Sequence, residues 1–322
     1  MRKKILLVAA AVLITVSMLL SACSGSKYPS KSIDLIVGFG QGGGTDVFTR
    51  ALQPALKAQL GVNLAVINMP GASSATAMNE VMKRPADGYT VFMITSDMLT
   101  NDLQGRTTYT YADLIPIVRA HVDIGLLQVS GKSDIKTWQD FVNKCKANPG
   151  KVTIAGVGAG SFDEQALAIL LKSAGLTYKY VPYESASEMH AAVLGGHVDA
   201  MYAEPSHDMN LLNDGTMRAI ITFTDKPVDK FKGVPSAGEL GLTVPPPIWR
   251  GAAVKKGTPQ NIVDTLEKAF TAACKDPSYQ KFESDTGLNI YPGFLGSKDF
   301  AKAMASEYEL YKKALKELGF IK

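Results

Sequence analysis

Short apolar, β-branched runs alternate with helical patterns along almost all of the 322 residues. In the first part of the chain, strand patterns at 32–39, 64–68 and 90–95 enclose helical patterns at 45–60 and 73–84. Strand and helix in regular alternation predict parallel strands with helices packed on both faces of the sheet. The chain is therefore predicted to be an α/β protein with a doubly wound sheet.

The same order restarts in the second part of the chain. Strands are predicted at 124–130, 152–155, 178–182, 200–203, 218–223 and 251–254, and helices at 137–147, 259–275, 297–318 and in two segments that end at 173 and 194. A stretch rich in Gly and Pro at 233–247 indicates a linker or a surface loop. About 300 residues are too many for one ordinary core, so two domains or one large α/β unit are predicted.

A glycine-rich turn follows the first predicted strand, with the sequence Gly38-Phe39-Gly40-Gln41-Gly42-Gly43-Gly44-Thr45-Asp46. Glycine lets the backbone approach a ligand closely. A helix that starts near Thr45 directs unpaired N–H groups and a partial positive charge at that ligand. The turn therefore predicts an anion site, in which Thr45 caps the helix or donates its hydroxyl and Asp46 caps it or bridges backbone groups. The alternative is a purely structural turn.

Nucleotide-binding explanations of this turn are weaker. It lacks the lysine of a P-loop, and no clear acidic residue follows at the spacing that binds a ribose. A second turn, Gly156-Val157-Gly158-Ala159-Gly160-Ser161, follows a later strand, and Ser161 offers a hydroxyl and an N–H at a predicted helix start. Because ligands of such sheets bind where strand ends meet helix starts, the two turns indicate a carboxylate held between two lobes.

The first 23 residues have the order of a secretory signal. Arg2, Lys3 and Lys4 precede an apolar run at 5–20, which is shorter than the roughly 20 residues that a membrane span needs. The sequence Leu20-Ser21-Ala22-Cys23 resembles a bacterial lipobox. Residues 1–22 are thus predicted to be a lipoprotein signal peptide, Cys23 to carry the lipid, and 23–30 to be a tether outside the membrane. The alternatives are an ordinary cleaved signal and a retained helix anchor.

Charge and cysteine usage exclude several classes of protein. Loss of the three basic residues of the signal lowers the net charge from +4 to about +1, so no surface for a nucleic acid is predicted. Cys145 and Cys274 are expected to be free buried thiols, with a disulfide as the alternative. There is no CxxC pair, so neither a zinc site nor a redox pair is indicated.

Ten short motifs follow one another along the mature chain, among them Gly-Gly-Gly-Thr-Asp at 42–46 and Asn-Met-Pro-Gly-Ala at 68–72. The others lie at 28–31, 86–90, 149–151, 158–161, 181–183, 195–199, 233–236 and 256–259. With this set the chain resembles the Bug family of extracytoplasmic solute-binding proteins, the receptors of tripartite tricarboxylate transporters. The resemblance implies a type 2 periplasmic-binding-protein fold, with 31–124 and 248–322 as lobe 1 and 125–247 as lobe 2.

The resemblance also implies the ligand and the residues that bind it. The cleft closes on a small carboxylated solute and delivers it to integral-membrane transporter subunits. Such a receptor is a monomer, is not an enzyme and needs no cofactor or metal. The implied ligand-binding residues are Phe39, Gly43, Thr45, Asp46, Ser73, Ser74 and Ser96 on lobe 1, and Gly160, Ser161, Tyr183 and Glu204 on lobe 2.

Three departures from the family pattern bear on the ligand. Asp163 and Glu164 stand where relatives often have histidine, and Glu184 stands where lysine is common. They bring negative charge to the expected far end of the pocket. A dianion is therefore a less secure ligand, and an amino acid or another partly cationic carboxylate is the alternative.

Functions other than that of a receptor have weaker signals in the sequence. A serine hydrolase would need a GxSxG elbow, which Ser161 lacks, and a serine at a helix start is more often a cap. A sensor lipoprotein would present the same lobes to a signalling partner. Arg250 either pairs with a ligand carboxylate or forms a salt bridge on the surface or between lobes. The densest group of metal-ligand types, at a spacing that matches no familiar site, is His190, His197, Asp199, Glu204 and His207.

Overall fold

A computed structural model describes residues 28–321 as an α/β protein built on two sheets. Residues 1–27, which include the predicted signal and Cys23, lie outside the described part. Among residues 28–321, no helix combines the length and the apolar composition that a membrane crossing requires.

Six strands form the sheet of the first lobe, in the order β11-β4-β10-β3-β1-β2. They are β1 (Ile33–Val37), β2 (Leu64–Asn68), β3 (Thr90–Thr95), β4 (Leu114–Asp123), β10 (Ile248–Lys255) and β11 (Leu295–Gly296). The helices of this part are α1 (Gly44–Leu60), α2 (Ala75–Lys83), α3 (Met98–Asn101), α8 (Gln260–Cys274), α9 (Pro277–Thr286) and α10 (Ser297–Glu317).

Five strands form the sheet of the second lobe, in the order β7-β6-β8-β5-β9. They are β5 (Leu126–Ser130), β6 (Thr153–Val157), β7 (Lys179–Tyr183), β8 (Ala200–Ala203) and β9 (Met217–Thr222). The helices are α4 (Trp138–Ala147), α5 (Phe162–Ser173), α6 (Ala186–Leu194) and α7 (Pro205–Asn213). Each lobe has its own apolar layers. Phe48, Leu52 and Leu56 of α1 pack on the first sheet, and Leu167 and Leu170 of α5 pack on the second.

The predicted α/β class and doubly wound architecture are confirmed, but the expectation of purely parallel sheets is wrong. β10 runs antiparallel to both of its neighbours, β3 and β4, and β5 runs antiparallel to β8 and β9. These are the strands by which the chain enters each lobe from the other one. β11 also runs in the direction of β10, since both are antiparallel to β4. The strands β1 to β4 and β6 to β9 run opposite to the crossing strand of their own sheet.

The sequence patterns missed several elements. β4 was not predicted, because Pro116, Arg119, His121 and Asp123 interrupt its apolar residues; nevertheless His121 and Asp123 are fully buried in it. The short helices α3, α7 and α9 were also missed. The interpretation of Cys145 and Cys274 is confirmed, since both are buried free thiols within the described part of the chain.

Candidate ligand-binding cleft

The first glycine turn presents the start of α1 to the cleft between the lobes. Its N-cap is Gly43, and no side chain caps the helix. The amide of Gly43 is bonded to the Gly40 carbonyl at 3.3 Å. Within the described residues, the N–H groups of Gly44 and Thr45 have no acceptor, and neither does the Thr45 hydroxyl. A 17-residue helix with free amides at its first turn has the chemistry that can bind an anion.

Asp46 holds the shape of this turn. Its carboxylate accepts hydrogen bonds from the Gly42 amide, the Arg50 guanidinium and the Asn68 side-chain amide, each at 3.0 Å. Burial would raise the pKa of Asp46, but these donors outweigh it and the pKa is lowered. The carboxylate is therefore engaged in bridging the backbone, one of the two roles predicted for it. Asn68 also donates to the carbonyl of Phe39 at 2.9 Å.

Arg250 of β10 places its positively charged guanidinium at the start of α1. Its Nη1 donates to Oδ2 of Asp123 at 3.3 Å, and its Nε has no acceptor among the described residues. A Cβ on Gly44 would lie 2.3 Å from Nη2 of Arg250, so the guanidinium rests against that glycine. The register of β10 on β4 shifts between Arg250 and Gly251, which is where a bulge can re-aim a side chain.

Asp123, the partner of Arg250, ends β4 at the crossing between the lobes. It also accepts a hydrogen bond from the hydroxyl of Ser206 in the second lobe. Burial raises the pKa of Asp123 to about 6, although Arg250 opposes the shift. The two interpretations of Arg250 are thus not exclusive: it forms a buried salt bridge and also lies against Gly44 at the start of α1.

A strained loop flanks the first turn. Ala72, Ser73 and Ser74 have φ values of 47°, 50° and 70°, a left-handed conformation that is unfavourable for residues with a Cβ and that concentrates at functional sites. Asn101 steadies the loop by donating to the Ser73 carbonyl at 2.7 Å. Ser74 packs so closely on Gly38 that a Cβ there would lie 2.3 Å from that of Ser74. Ser74 therefore packs against the start of the first glycine turn, and the role of Ser73 and Ser74 in ligand binding stays a prediction.

The second glycine turn differs from the first because its own side chains bind its amides. Asp163 accepts from the Val157 amide at 2.8 Å, and Glu164 accepts from the Gly160 amide at 2.6 Å. Ser161 caps α5 by accepting from the Glu164 amide at 3.5 Å. The amide of Gly158 is bonded to the Tyr183 carbonyl. The amides of Val157, Gly158 and Gly160 are therefore engaged within the protein, whereas those of Ala159 and Ser161 have no acceptor among the described residues. The role of the Ser161 amide in binding a carboxylate stays a prediction.

Three side chains, two from the first lobe and one from the second, donate hydrogen bonds to the carbonyl of Gly160. Gln104 and Arg106, from the segment after α3 of the first lobe, donate to it at 3.1 and 2.9 Å. Gln165 of the second lobe donates at 3.0 Å. Sequence patterns missed Gln104 and Arg106 because neither belongs to a motif. Tyr180 was also missed; its hydroxyl donates to the Gly158 carbonyl at 2.9 Å and lies 3.4 Å from that of Ser161.

Glu204 and His207 of the second lobe lie next to the first glycine turn. Glu204 is the N-cap of α7 and is only 6% exposed. Its Oε2 lies 3.6 Å from Nδ1 of His207, and Nε2 of His207 lies 2.8 Å from the place a Cβ on Gly44 would take. Burial and Arg250 lower the pKa of His207. Glu204 is thus separated from the first turn by the imidazole ring of His207.

The other predicted site residues lie at different depths. Phe39 and Tyr183 are partly exposed beside the two turns, whereas Ser96 is completely buried. Glu184 is exposed on the surface, whereas Glu204 is buried beside His207.

The histidines and acidic residues considered as metal ligands are dispersed. His190 pairs with Asp208 at 2.5 Å, and Asp199 accepts from the Thr153 backbone and from Lys144. His197 is exposed. In residues 28–321 no group of three or more His, Cys, Asp or Glu side chains is placed to hold a metal ion.

Comparison with known proteins agrees with this geometry. Residues 48–320 match the profile of the tripartite tricarboxylate transporter family receptors, TctC. The UPF0065 protein in the gbd 5′ region of Cupriavidus necator is 29% identical over 92% of this chain and 90% of its own length.

Solved structures show the same fold. A TctC solute-binding protein from Polaromonas, at 28% identity, superposes with a TM-score of 0.74 over 90% of this chain and 99% of its own. An R. palustris protein solved with adipate is 24% identical to this chain. It superposes with a TM-score of 0.78 over 91% of this chain and 98% of its own. The length of the profile match, the two-lobed fold and the open first turn lead to one conclusion: this chain belongs to the tripartite tricarboxylate transporter receptor family.

Proposed function

We propose that the protein captures a small carboxylate-containing solute outside the cell and delivers it to a tripartite tricarboxylate-type membrane transporter. The observation that carries this proposal is the start of α1. There the free amides of Gly44 and Thr45 and the guanidinium of Arg250 converge between two lobes. The R. palustris relative with adipate supports the same class of ligand for this fold.

Lobe closure supplies the mechanism. The first lobe contributes α1 and Arg250, and the second contributes His207 and the carbonyl of Gly160, which already bonds to Arg106. A ligand in contact with both lobes stabilises the closed state because it has more contacts there than in an open one.

The proposed units are 31–124 with 248–322 as one lobe and 125–247 as the other. The proposed receptor acts as a monomer on integral-membrane subunits.

The contacts of Ser161 and of the histidines do not favour a serine hydrolase. Ser161 caps α5, and its hydroxyl neighbours Tyr180 rather than a histidine. All four histidines of the chain lie in the described part. His121 bonds to Tyr279, His190 to Asp208, and His207 faces Glu204, while His197 is exposed. A sensor lipoprotein would use the same cleft, and no contact favours it over a transport receptor.

The proposal is tested by a thermal-shift screen of residues 28–322 against mono-, di- and tricarboxylates, aromatic acids, amino acids, and uncharged sugars as controls. At least one acid is expected to raise the melting temperature by several degrees, since a ligand at 100 times its Kd adds about 2.7 kcal/mol of stability. A sugar that stabilises the protein more than any acid would overturn the assignment of an anion site.

Thr45 and Ser161 are expected to respond differently to substitution. Thr45→Val keeps the side-chain shape but removes a hydroxyl that has no partner in the described structure, so the affinity for the acid should fall by about 1–2 kcal/mol with little change in melting temperature. Ser161→Ala removes the α5 cap and should lower the unfolding free energy by about 1 kcal/mol. Calorimetric titration and denaturant unfolding separate the two effects. Equal loss of affinity in both variants would contradict the distinction.

The lipid anchor at Cys23 is part of the proposal, although the residue lies outside the described structure. Cys23→Ser removes the thiol that would be acylated, so the protein should leave the membrane fraction of expressing cells. Fractionation followed by intact-mass measurement checks this result, and the wild-type mass should exceed that of the chain from Cys23 by a lipid. Membrane retention of the Cys23→Ser protein would instead indicate a helix anchor.

A further inference from the structure

Two side chains of the first lobe cross the cleft and bind the backbone of the second lobe. Nη2 of Arg106 donates to the carbonyl oxygen of Gly160 at 2.9 Å, and Nε2 of Gln104 donates to the same oxygen at 3.1 Å. Both donors follow α3 of the first lobe, whereas Gly160 lies in the second glycine turn, directly before α5. The two lobes are therefore joined by direct hydrogen bonds between protein atoms.

Gly160 has the backbone shape that this contact requires. Its φ of 64° lies in the left-handed region, which glycine adopts without a steric penalty. A Cβ at this position would lie 2.9 Å from Nη2 of Arg106, so a side chain here would displace the guanidinium from the carbonyl. The glycine thus lets the guanidinium come within hydrogen-bond distance.

Arg106 is held in place by Asn101 of α3. The Arg106 amide donates to the Asn101 carbonyl at 2.7 Å, and Nη1 of the guanidinium donates to Oδ1 of Asn101 at 3.5 Å. Asn101 is 1% exposed and donates through Nδ2 to the Ser73 carbonyl at 2.7 Å. The next residue, Ser74, packs on Gly38. One buried side chain therefore links Arg106 to the loop beside the first glycine turn.

Gln165 keeps the Gly160 carbonyl bonded when the lobes separate. It belongs to α5 of the second lobe and donates to the same oxygen at 3.0 Å. A carbonyl oxygen has two lone pairs, so three donors share it when the lobes are closed. Separation of the lobes would return the groups of Arg106 and Gln104 to water and leave one donor on the carbonyl. Because no acceptor is then left unpaired, the contact can break and form again at low cost.

We propose that Arg106 and Gln104 form a latch that closes the lobes on the Gly160 carbonyl and stabilises the closed state even without an acid in the cleft. This inference rests on the proposed function and names residues that act through the position of the lobes. If the acid is held most tightly in the closed state, its apparent affinity is proportional to the closed fraction of the free protein. The latch therefore strengthens the binding of every acid by the same factor.

The test is small-angle X-ray scattering of the free protein, with no acid present. Arg106→Met keeps the length of the side chain but removes its donors, so the closed fraction should fall by about 10-fold or more and the radius of gyration should rise. Gln104→Met removes the second donor without a change of charge, and it should shift the radius of gyration in the same direction by a smaller amount. Melting temperatures verify that each variant is folded.

Gln165→Met is the matched control. It removes a hydrogen bond to the same carbonyl oxygen, but that bond lies within the second lobe and does not cross the cleft. The free Gln165→Met protein should therefore be as compact as the wild type. Gln104→Met leaves in place the attraction between Arg106 and the buried Asp97, so it decides the question if Arg106→Met fails to fold.

Calorimetric titration then measures the effect of the latch on affinity. The probes are adipate, the acid in the R. palustris structure, and succinate, a shorter dicarboxylate. Arg106→Met should bind both about 10-fold more weakly than the wild type, by the same factor, because the latch acts through lobe closure. A loss confined to one of the two acids would show that Arg106 contacts the solute, and would overturn its role as a latch.

The outcomes separate this inference from the proposed function. Equal radii of gyration for the free wild type, Arg106→Met and Gln104→Met would overturn the latch, whether all three are open or closed. Opening of Gln165→Met to the same extent would overturn it as well. If no acid of any class binds but Arg106→Met still opens the free protein, the proposed function is wrong and the latch stands.

Discussion

Replacing Arg250 with methionine is expected to weaken carboxylate binding by at least about 3 kcal/mol and to lower the unfolding free energy by a similar amount. Arg250 is the one described cation in contact with Gly44 at the start of α1, and it also neutralises the fully buried Asp123 at 3.3 Å. Loss of the guanidinium therefore removes a ligand contact and leaves a carboxylate unpaired in the core. Calorimetric titration and urea unfolding measure the two effects.

A double variant separates binding from stability. With Asp123→Asn added to Arg250→Met, the charge of Asp123 is no longer left unpaired, and part of the lost stability should return. Affinity for the acid should stay low because the guanidinium is still absent. If Arg250→Met binds the acid as tightly as the wild type, Arg250 is a structural residue only and the anion site must be relocated.

Gly44→Ala is expected to weaken ligand binding about 100-fold or more, that is by about 2.7 kcal/mol. The new methyl group would lie 2.3 Å from Nη2 of Arg250 and 2.8 Å from Nε2 of His207. Both side chains would have to move, and because His207 belongs to the second lobe, the lobes would be held apart. The stability of α1 should change little, since alanine is favourable in a helix. Titration gives the affinity, and small-angle scattering shows whether the ligand still compacts the protein.

Gly40→Ala is the matched control in the same turn. A Cβ on Gly40 would meet no atom within 4 Å, and Gly40 is not among the glycines with positive φ. Affinity and stability should therefore remain close to those of the wild type. Equal loss of affinity in both variants would show that flexibility of the whole turn, and not the close approach at Gly44, determines binding.

The first turn was predictable because its determinants are local. β1, the glycines and the start of α1 follow one another, and the chemistry of free helix amides depends on those residues alone. The bridging role of Asp46 was also predictable, since it accepts a hydrogen bond from an amide only four residues away. The fold class followed from the alternation of strands and helices in the same way.

The second turn and the charged cleft could not be predicted from motifs. Two amides of the turn are bonded to Asp163 and Glu164, which were noted as charged positions but whose hydrogen bonds to nearby amides were not foreseen. A signal was present, because acidic residues in the first turn of a helix commonly bind backbone N–H groups. The Arg250–Asp123 pair joins residues 127 positions apart on two crossing strands. Since β4 itself was missed, nothing in the sequence placed them together.

The most direct test of a carboxylate receptor is a crystal structure of the protein with the acid that gives the largest thermal shift. The account predicts the ligand carboxylate within hydrogen-bond distance of the Gly44 and Thr45 amides and of the Arg250 guanidinium, between closed lobes. A carboxylate bound anywhere else, or bound with the start of α1 still free, would contradict it.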